Sequence, residues 1–181
     1  KGIVAVSAQT FGKETFSFSI PNDITAPVRS DGTAFFDNID IYEGSYINQT
    51  FAINSRSTYQ RFILPNTGID TSLLNVVVRD NANSSVTRQF NQFTSFVGVD
   101  SKSKIYFVQE TDNERYELLF GDGVFGEKLL EPRVIEVDYI VSKGSEGNNI
   151  NKFVFAGRIQ SNSGTSITTG LSLLTTEQYS Y

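Results

Sequence analysis

The chain has 181 residues, of which 39% are hydrophobic and 19% charged, and its net charge is −5. This length suits one large domain or two small ones, and the composition excludes a disordered or membrane-spanning chain. No apolar run approaches the roughly 20 residues that cross a bilayer, and the segment IVAV near the start lacks the cleavage pattern of a signal peptide. Because the chain contains no Met, we expect it to be an excerpt of a longer protein.

The charge and the missing residue types exclude several classes of function. An acidic surface repels phosphate backbones and anionic lipids, so we expect neither nucleic acid nor membranes as partners. The chain has no Cys and no His; it therefore lacks disulfides, thiolate zinc sites, a cysteine nucleophile and a Ser-His-Asp triad. We expect no catalytic residue, no cofactor and no metal site, and leave open only chemistry based on carboxylates.

Alternation of apolar and polar residues predicts strands along the first half of the chain. In ETFSFSI, Phe16, Phe18 and Ile20 alternate with polar residues, and Pro21 ends the run. The further candidate strands are, in chain order, TAFFDNIDIYEG, SYINQTFAI, QRFILPNTG with a turn at 65–68, and LLNVVVRD. The polar run DNANSS that follows is predicted to be a loop or a hairpin tip.

The third quarter has the clearest strand signals. KIYFVQE and RYELLF, joined by TDNE, predict a hairpin over 104–120. In the next strand, RVIEVDYIVS, the apolar side chains from Ile135 to Tyr139 share one face, whereas Glu136 and Asp138 point the other way. We interpret these two carboxylates as part of a solvated outer face.

The last part of the chain is polar. It contains the loop KGSEGNN, the short strand NKFVFAG, the Ser/Thr/Gly-rich run SNSGTSITTG and the tail LSLLTTEQYSY, which is a candidate helix start. No window shows the apolar spacing of a capped helix. The predicted fold class is mainly β (β-dominant α+β), with antiparallel meander or sandwich-like sheets and little helix. We expect one β-rich domain over 1–147, with a sub-lobe break near 30–45 left open, and a connecting segment over 148–181.

The segment FGDGVFGEKL has the composition of a phosphate cradle, a metal loop or a turn. A phosphate cradle needs its glycines at the mouth of a helix, and Pro132 stands where that helix would run. A calcium loop needs several oxygen ligands at alternating positions, whereas Asp122 has only Glu127 nearby. Both ligand sites are therefore disfavoured, and the segment is predicted to turn the chain back.

This predicted turn consists of five residues, which are Phe120, Gly121, Asp122, Gly123 and Gly126. Gly121 and Gly123 can take positive φ without steric cost, and an aspartate tolerates the left-handed region between them. We further expect Phe120, Val124 and Phe125 to cover the turn against the sheet.

Two other features have a structural and a functional interpretation. The pairs Asp37/Asp40 and Glu136/Asp138 are the only carboxylates whose spacing suggests a ligand site. The 15 Phe and 8 Tyr are typical of a strand core more than of a sugar-binding platform, since the chain has no Trp.

The segment around the glycines also carries a family resemblance. ERYELLFGDGVFGEKL followed by RVIEVDYIVSKGSEGN resembles the baseplate wedge protein of contractile-tailed (T4-like) bacteriophages, in the baseplate J-like group. IDIYEGSYINQTF, QRFILPNTGIDTSLLNVVV and SKSKIYFVQETDNERYELLF are similar to the same family in the same order. The resemblance covers most of the chain, from about residue 16 to about residue 147.

The resemblance implies a structural, non-enzymatic component of the virion, located in the tail baseplate and assembled in the host cytoplasm. It implies association with copies of the same chain, as a dimer or a higher ring, and with other wedge proteins, as well as rearrangement when the sheath contracts. A β-rich module with open sheet edges is consistent with this role.

Two alternative functions stay open. The chain could be a carbohydrate-binding or receptor-binding β domain of a tail protein, which would bind glycans. It could also be a glycan hydrolase that uses only carboxylates, which would need a pair roughly 5 to 9 Å apart in a cleft.

Overall fold

The structure is a computed structural model that describes residues 1–8, 14–54, 60–148 and 150–161. These residues form eleven strands and two short 3-10 helices, at Thr71–Leu73 and Gly144–Gly147. The predicted mainly β fold class is confirmed. Residues 162–181, which include the predicted tail and most of the Ser/Thr/Gly-rich run, lie outside the described residues.

The strands form a four-stranded and a seven-stranded sheet. In chain order they are β1 (Gly2–Ser7), β2 (Ser17–Ile20), β3 (Tyr42–Glu43), β4 (Ser45–Ala52), β5 (Phe62–Ile63), β6 (Asn75–Arg79), β7 (Thr87–Gln92), β8 (Ile105–Thr111), β9 (Arg115–Phe120), β10 (Val134–Val141) and β11 (Phe153–Phe155).

The chain folds into two compact units. Unit 1 comprises Lys1–Tyr46 and Ser142–Tyr181, and unit 2 comprises Ile47–Val141. These limits differ from the predicted domain limits at 147 and near 30–45. The reason is that the predicted strand near the C-terminus, β11, pairs with β1, so both ends of the chain contribute to one sheet.

Unit 1 is built on the antiparallel strand order β11-β1-β2-β3. Its small core consists of Ala5, Phe16, Phe18 and Ile150, and the rings of Phe18 and Phe153 meet edge to face at 4.8 Å. The alternation of ETFSFSI thus places its aromatic side chains in a core, as predicted. The predicted strand TAFFDNIDIYEG is correct only at Tyr42–Glu43, since Asn38 takes a positive φ and interrupts the extended backbone upstream.

Unit 2 has the strand order β4-β10-β6-β7-β8-β9-β5. The predicted hairpin over 104–120 is confirmed, because β8 and β9 pair up to Thr111 and Arg115, and DNANSS lies at the tip between β6 and β7. Only β6 to β9 follow one another in chain order, since β10 lies between β4 and β6, and β5 lies beside β9. Within this run β7 and β8 are parallel, which departs from the predicted antiparallel meander. A parallel pair needs a long crossover, which here is the segment 93–104. Strand β7 itself is absent from the predicted strands.

The core of unit 2 lies inside its curled sheet. All seven strands contribute buried or half-buried apolar side chains to one cluster, and no helix of the described residues covers it. Phe51 of β4 and Phe62 of β5 come from the two ends of the strand order, yet their rings lie 5.6 Å apart. The sheet therefore curls until its first and last strands meet around their own apolar side chains.

The two carboxylates of β10 do not form the predicted solvated face. Asp138 is 2% exposed, and its carboxylate accepts hydrogen bonds from the side-chain amides of Asn48 (2.6 Å) and Asn75 (3.2 Å) on the flanking strands. Glu136 forms an ion pair with Arg79 at 2.6 Å. The prediction was wrong because β10 is flanked by a strand on each side, whose polar side chains cover its carboxylates.

The curled core predicts a contrast between two leucines of unit 2. Leu118 is fully buried and Leu130 is 51% exposed. Leu118→Ala should lower the free energy of unfolding by about 2–5 kcal/mol, because it leaves a cavity. Leu130→Ala is the matched control, with an expected change within about 0.5 kcal/mol. Urea unfolding measures both, and equal losses would contradict the packing described above.

Candidate functional site

Four of the five residues of the predicted turn lie in the loop after β9, and Phe120 is the last residue of that strand. In this loop the Gly123 amide donates to the Gly126 carbonyl at 3.1 Å, and Gly121 bridges to Lys128. The chain is therefore folded back within the loop. The loop does not join paired strands, however, because three strands separate β9 from β10 in the sheet.

The glycines of the loop are required for two different reasons. Gly123 and Gly126 have positive φ values of 92° and 82°, a region that favours glycine. Gly121 does not have a positive φ; a Cβ atom there would lie 2.2 Å from the carbonyl carbon of Gly126. Glycine at 121 thus allows two backbone segments to touch.

Asp122 holds the loop through its side chain. It is not among the described residues with positive φ, so Asp122 does not adopt the left-handed conformation that an aspartate tolerates at this position. Its carboxylate accepts hydrogen bonds from the backbone amides of Val124 and Phe125, both at 2.8 Å. The amides of Phe125 and then Val124 lower the pKa of Asp122, because they stabilise the charged form.

A second aspartate holds the neighbouring loop, between β7 and β8, in the same way. The carboxylate of Asp100 accepts from the Lys102 amide and the Ser103 hydroxyl, both at 2.9 Å, and these bonds lower its pKa. Two backbone bonds tie the loops together: Gly126 donates to the Asp100 carbonyl at 2.9 Å, and Glu127 donates to the Ser103 carbonyl at 2.8 Å.

The paired loops carry a group of apolar side chains on the face of β8 opposite the core. Phe107 follows the buried Tyr106 and so points to that other face, where its ring lies 4.8 Å from the ring of Phe93. The ring of Phe96 lies 4.8 Å from Phe93 and 5.5 Å from Phe125. We call this surface the aromatic patch; it consists of Phe93, Phe96, Phe107 and Phe125, whose rings are in contact, together with Val97 and Val124, which follow Phe96 and precede Phe125 in the chain.

Much of the aromatic patch is open to solvent. Phe96 is 75% exposed, Val97 91% and Val124 80%. Val124 therefore does not cover the turn, contrary to the prediction, whereas Phe125 does pack against its neighbours. Phe120 points into the core instead, where its ring lies 5.7 Å from Phe90.

Three exposed lysines lie on the paired loops. Lys102 and Lys104 flank Ser103, and Lys128 follows Glu127, so the hydrogen bond between Glu127 and Ser103 brings them together. None of the three forms an ion pair within the part of the chain that the structure describes. Glu127 forms an ion pair with Arg133 at 2.5 Å. The charges of Lys102 and Lys128 act on the carboxylates of Asp100 and Asp122 on the same loops, and each contributes to the lowered pKa of that aspartate.

The remaining candidate carboxylates from the sequence, Asp37 and Asp40, lie in unit 1. Asp37 and Asp40 are both exposed. An open cleft of about 270 Å³ in unit 1 is lined by Asp40 and Tyr42 among others, and Asp40 is the only carboxylate among its lining residues. This cleft lacks the carboxylate pair that a glycan hydrolase needs.

Two further searches cover the described residues only. No group of three or more Asp or Glu side chains there has the arrangement of a metal site. No helix in this part of the chain has the length and apolarity to cross a membrane.

Comparison with known proteins identifies no relative of the chain. No model of a protein family matches the chain, and no curated protein matches it.

The loop geometry predicts an order among glycine variants. Gly123→Ala should cost about 1–2 kcal/mol, because alanine is strained at positive φ. Gly121→Ala should cost at least about 3 kcal/mol, because its Cβ collides with backbone atoms. Gly98→Ala, which has a positive φ but open space around its Cβ, is the control for strain alone. Thermal unfolding ranks the three, and the ranking fails if Gly121→Ala is the mildest.

The lowered pKa of Asp122 predicts a loss of stability in acid. Because its folded pKa lies below the ordinary value of 3.8, its contribution is complete above that value and is lost as the pH falls through the folded pKa. The difference in unfolding free energy between the native chain and Asp122→Asn should be constant near neutral pH and shrink in acid. Urea unfolding from about pH 6 to about pH 2.5 tests this, with Asp37→Asn as the control for losing one exposed charge. A difference that grows in acid would contradict it.

Proposed function

We propose that the chain is a structural component of a phage tail baseplate wedge. In this role it associates with copies of itself and with other wedge proteins during baseplate assembly and sheath contraction. It is not an enzyme in this proposal, and its partners are proteins, not nucleic acid or membranes.

The aromatic patch is the observation that carries this proposal. Soluble monomers rarely expose contiguous apolar surface unless it serves binding. Here Phe96, Val97 and Val124 are each at least 75% exposed, and they lie on loops that are tied to each other. The resemblance of the surrounding segments to baseplate wedge proteins indicates which kind of binding this surface serves.

The construction of the patch favours binding to a protein. Asp100 and Asp122 fix the two loops through hydrogen bonds to their own residues, so little conformational entropy is lost when a partner binds. Aromatic anchors such as Phe96 are the side chains that contribute most at protein interfaces. The patch thus has the features of a preformed contact surface.

Self-association of the native chain tests this proposal. At high micromolar concentration we expect a dimer or a higher oligomer that buries about 1,200 Å² or more of total surface. The double variant Val97→Ser/Val124→Ser should weaken association about tenfold, which is the effect of roughly 1.4 kcal/mol of lost contact. Multi-angle light scattering measures the mass at each concentration.

The control is Val86→Ser, since Val86 is also exposed, at 60%, but lies at the tip between β6 and β7. Association unchanged by Val86→Ser and weakened by the patch variant supports the proposal. A native chain that stays monomeric throughout, or equal effects of both variants, would count against it.

A further inference from the structure

A long connection in unit 1 is built only from exposed and half-buried residues. Residues 21–41, all of which the structure describes, join β2 to β3 without a helix or strand. None of them is buried. Connections of this length without secondary structure are uncommon in compact domains and usually have a function, so packing alone does not account for this segment.

The two ends of the connection meet beside the sheet of unit 1. Strands β2 and β3 are antiparallel, and Ser19 is paired with Tyr42, so the chain returns next to the point at which it left. An open cleft of about 270 Å³ lies here, lined by residues from 20–24 and 38–42. The pairing of two short strands therefore brings together the two segments that form the cleft.

Apolar side chains form most of the wall of this cleft. They are Ile20, Pro21, Ile24 and Ile39, together with the aromatic Tyr42. Sites for small ligands typically combine such a wall with a few polar groups that fix the orientation of the ligand. An aliphatic and aromatic wall fits the C–H face of a sugar ring, which packs on such side chains.

Three polar side chains, Asn22, Asn38 and Asp40, line the same cleft. Within the described part of the chain, these side chains form no hydrogen bond or ion pair. Asn38 has a φ of 49°, and such backbone conformations are uncommon outside glycine and cluster at ligand sites. Two amides and a carboxylate are therefore left to bind a ligand.

The charge of the cleft selects the class of ligand. No Lys or Arg lines it, and Asp40 is the only carboxylate among its lining residues, so an anion would meet repulsion without a counter-charge. Calcium takes about six to eight oxygen ligands, which one carboxylate and two amides do not supply. Amides both donate and accept hydrogen bonds and a carboxylate accepts them, which matches the hydroxyl groups of a neutral sugar.

We propose that this cleft binds one neutral sugar residue of a glycan. The size of the cleft limits the ligand to a single ring, because sites for larger ligands occupy about 300–1,000 Å³. The inference goes beyond the proposed assembly role and does not rest on it, since the cleft belongs to unit 1 and the aromatic patch to unit 2.

Titration with sugars, followed by amide NMR spectra of the native chain, tests the inference. The probes are the methyl glycosides of glucose, galactose, mannose and N-acetylglucosamine, with N-acetylneuraminic acid and arginine as charged comparators. At least one neutral glycoside should bind with a millimolar Kd, because a single ring makes few contacts. The shifted amide signals should belong to 20–24 and 38–42, and the charged comparators should leave these signals unchanged.

Two variants remove the polar groups of the cleft. Asn38→Gly removes an amide and keeps the positive φ, and Asp40→Ala removes the carboxylate. Each should raise the Kd of the glycoside at least about tenfold, because the hydroxyl groups lose a partner. Asp37→Ala is the matched control and should leave the Kd unchanged, since Asp37 is an exposed carboxylate of the same connection that does not line the cleft. The amide spectra also show whether each variant folds.

Three results would overturn the inference. The first is the absence of shifts with any neutral glycoside up to about 100 mM, far above the expected Kd. The second is an equal loss of binding in Asp37→Ala and Asp40→Ala. The third is binding of arginine that Asp40→Ala abolishes, without binding of glycosides, which would indicate a basic side chain of a protein partner as the ligand. A chain that binds a glycoside but stays monomeric in light scattering contradicts the proposed assembly role and supports this inference.

Discussion

The structure of unit 2 depends on a sheet whose apolar face is covered by no helix among the described residues. A sheet can remove that face from water only by packing on another layer or by curling on itself, and here it curls. The edge-to-face contacts of Phe62 with Phe51 and with Phe120 connect the first, last and next-to-last strands of the sheet. Because the sheet curls, one face of every strand points inward to the core, and the side chains on the opposite face form the outer surface.

The side chains on the outer face of the sheet differ from strand to strand, as β10 and β8 show. On β10 the outer position of Asp138 is covered by amides of the neighbouring strands, so a carboxylate is buried with its hydrogen bonds satisfied. On β8 the outer position of Phe107 is covered by two loops, which bring their own apolar side chains and leave some of them exposed. The first arrangement stabilises the sheet, and the second leaves apolar side chains open to solvent.

The hydrogen bonds within and between the paired loops hold them in one conformation, which favours the proposed assembly role. Gly121 allows close approach of two backbone segments, and Asp100 and Asp122 satisfy amides that a turn would otherwise leave without partners. A surface held in this way can contribute its apolar area to a contact without first being ordered.

Sequence alone determined the elements whose pattern is local. Alternation located the hairpin over 104–120 and strand β10, and the glycines around Asp122 located a turn, because side-chain period and backbone freedom depend on neighbouring residues. Only the tertiary structure decided what lies on each side of a strand. It buried Asp138, which alternation placed in water, and it gathered Lys128 beside Lys102 although 25 residues separate them. Such contacts depend on which strands become neighbours. The packing of the whole unit determines this, and no single segment does.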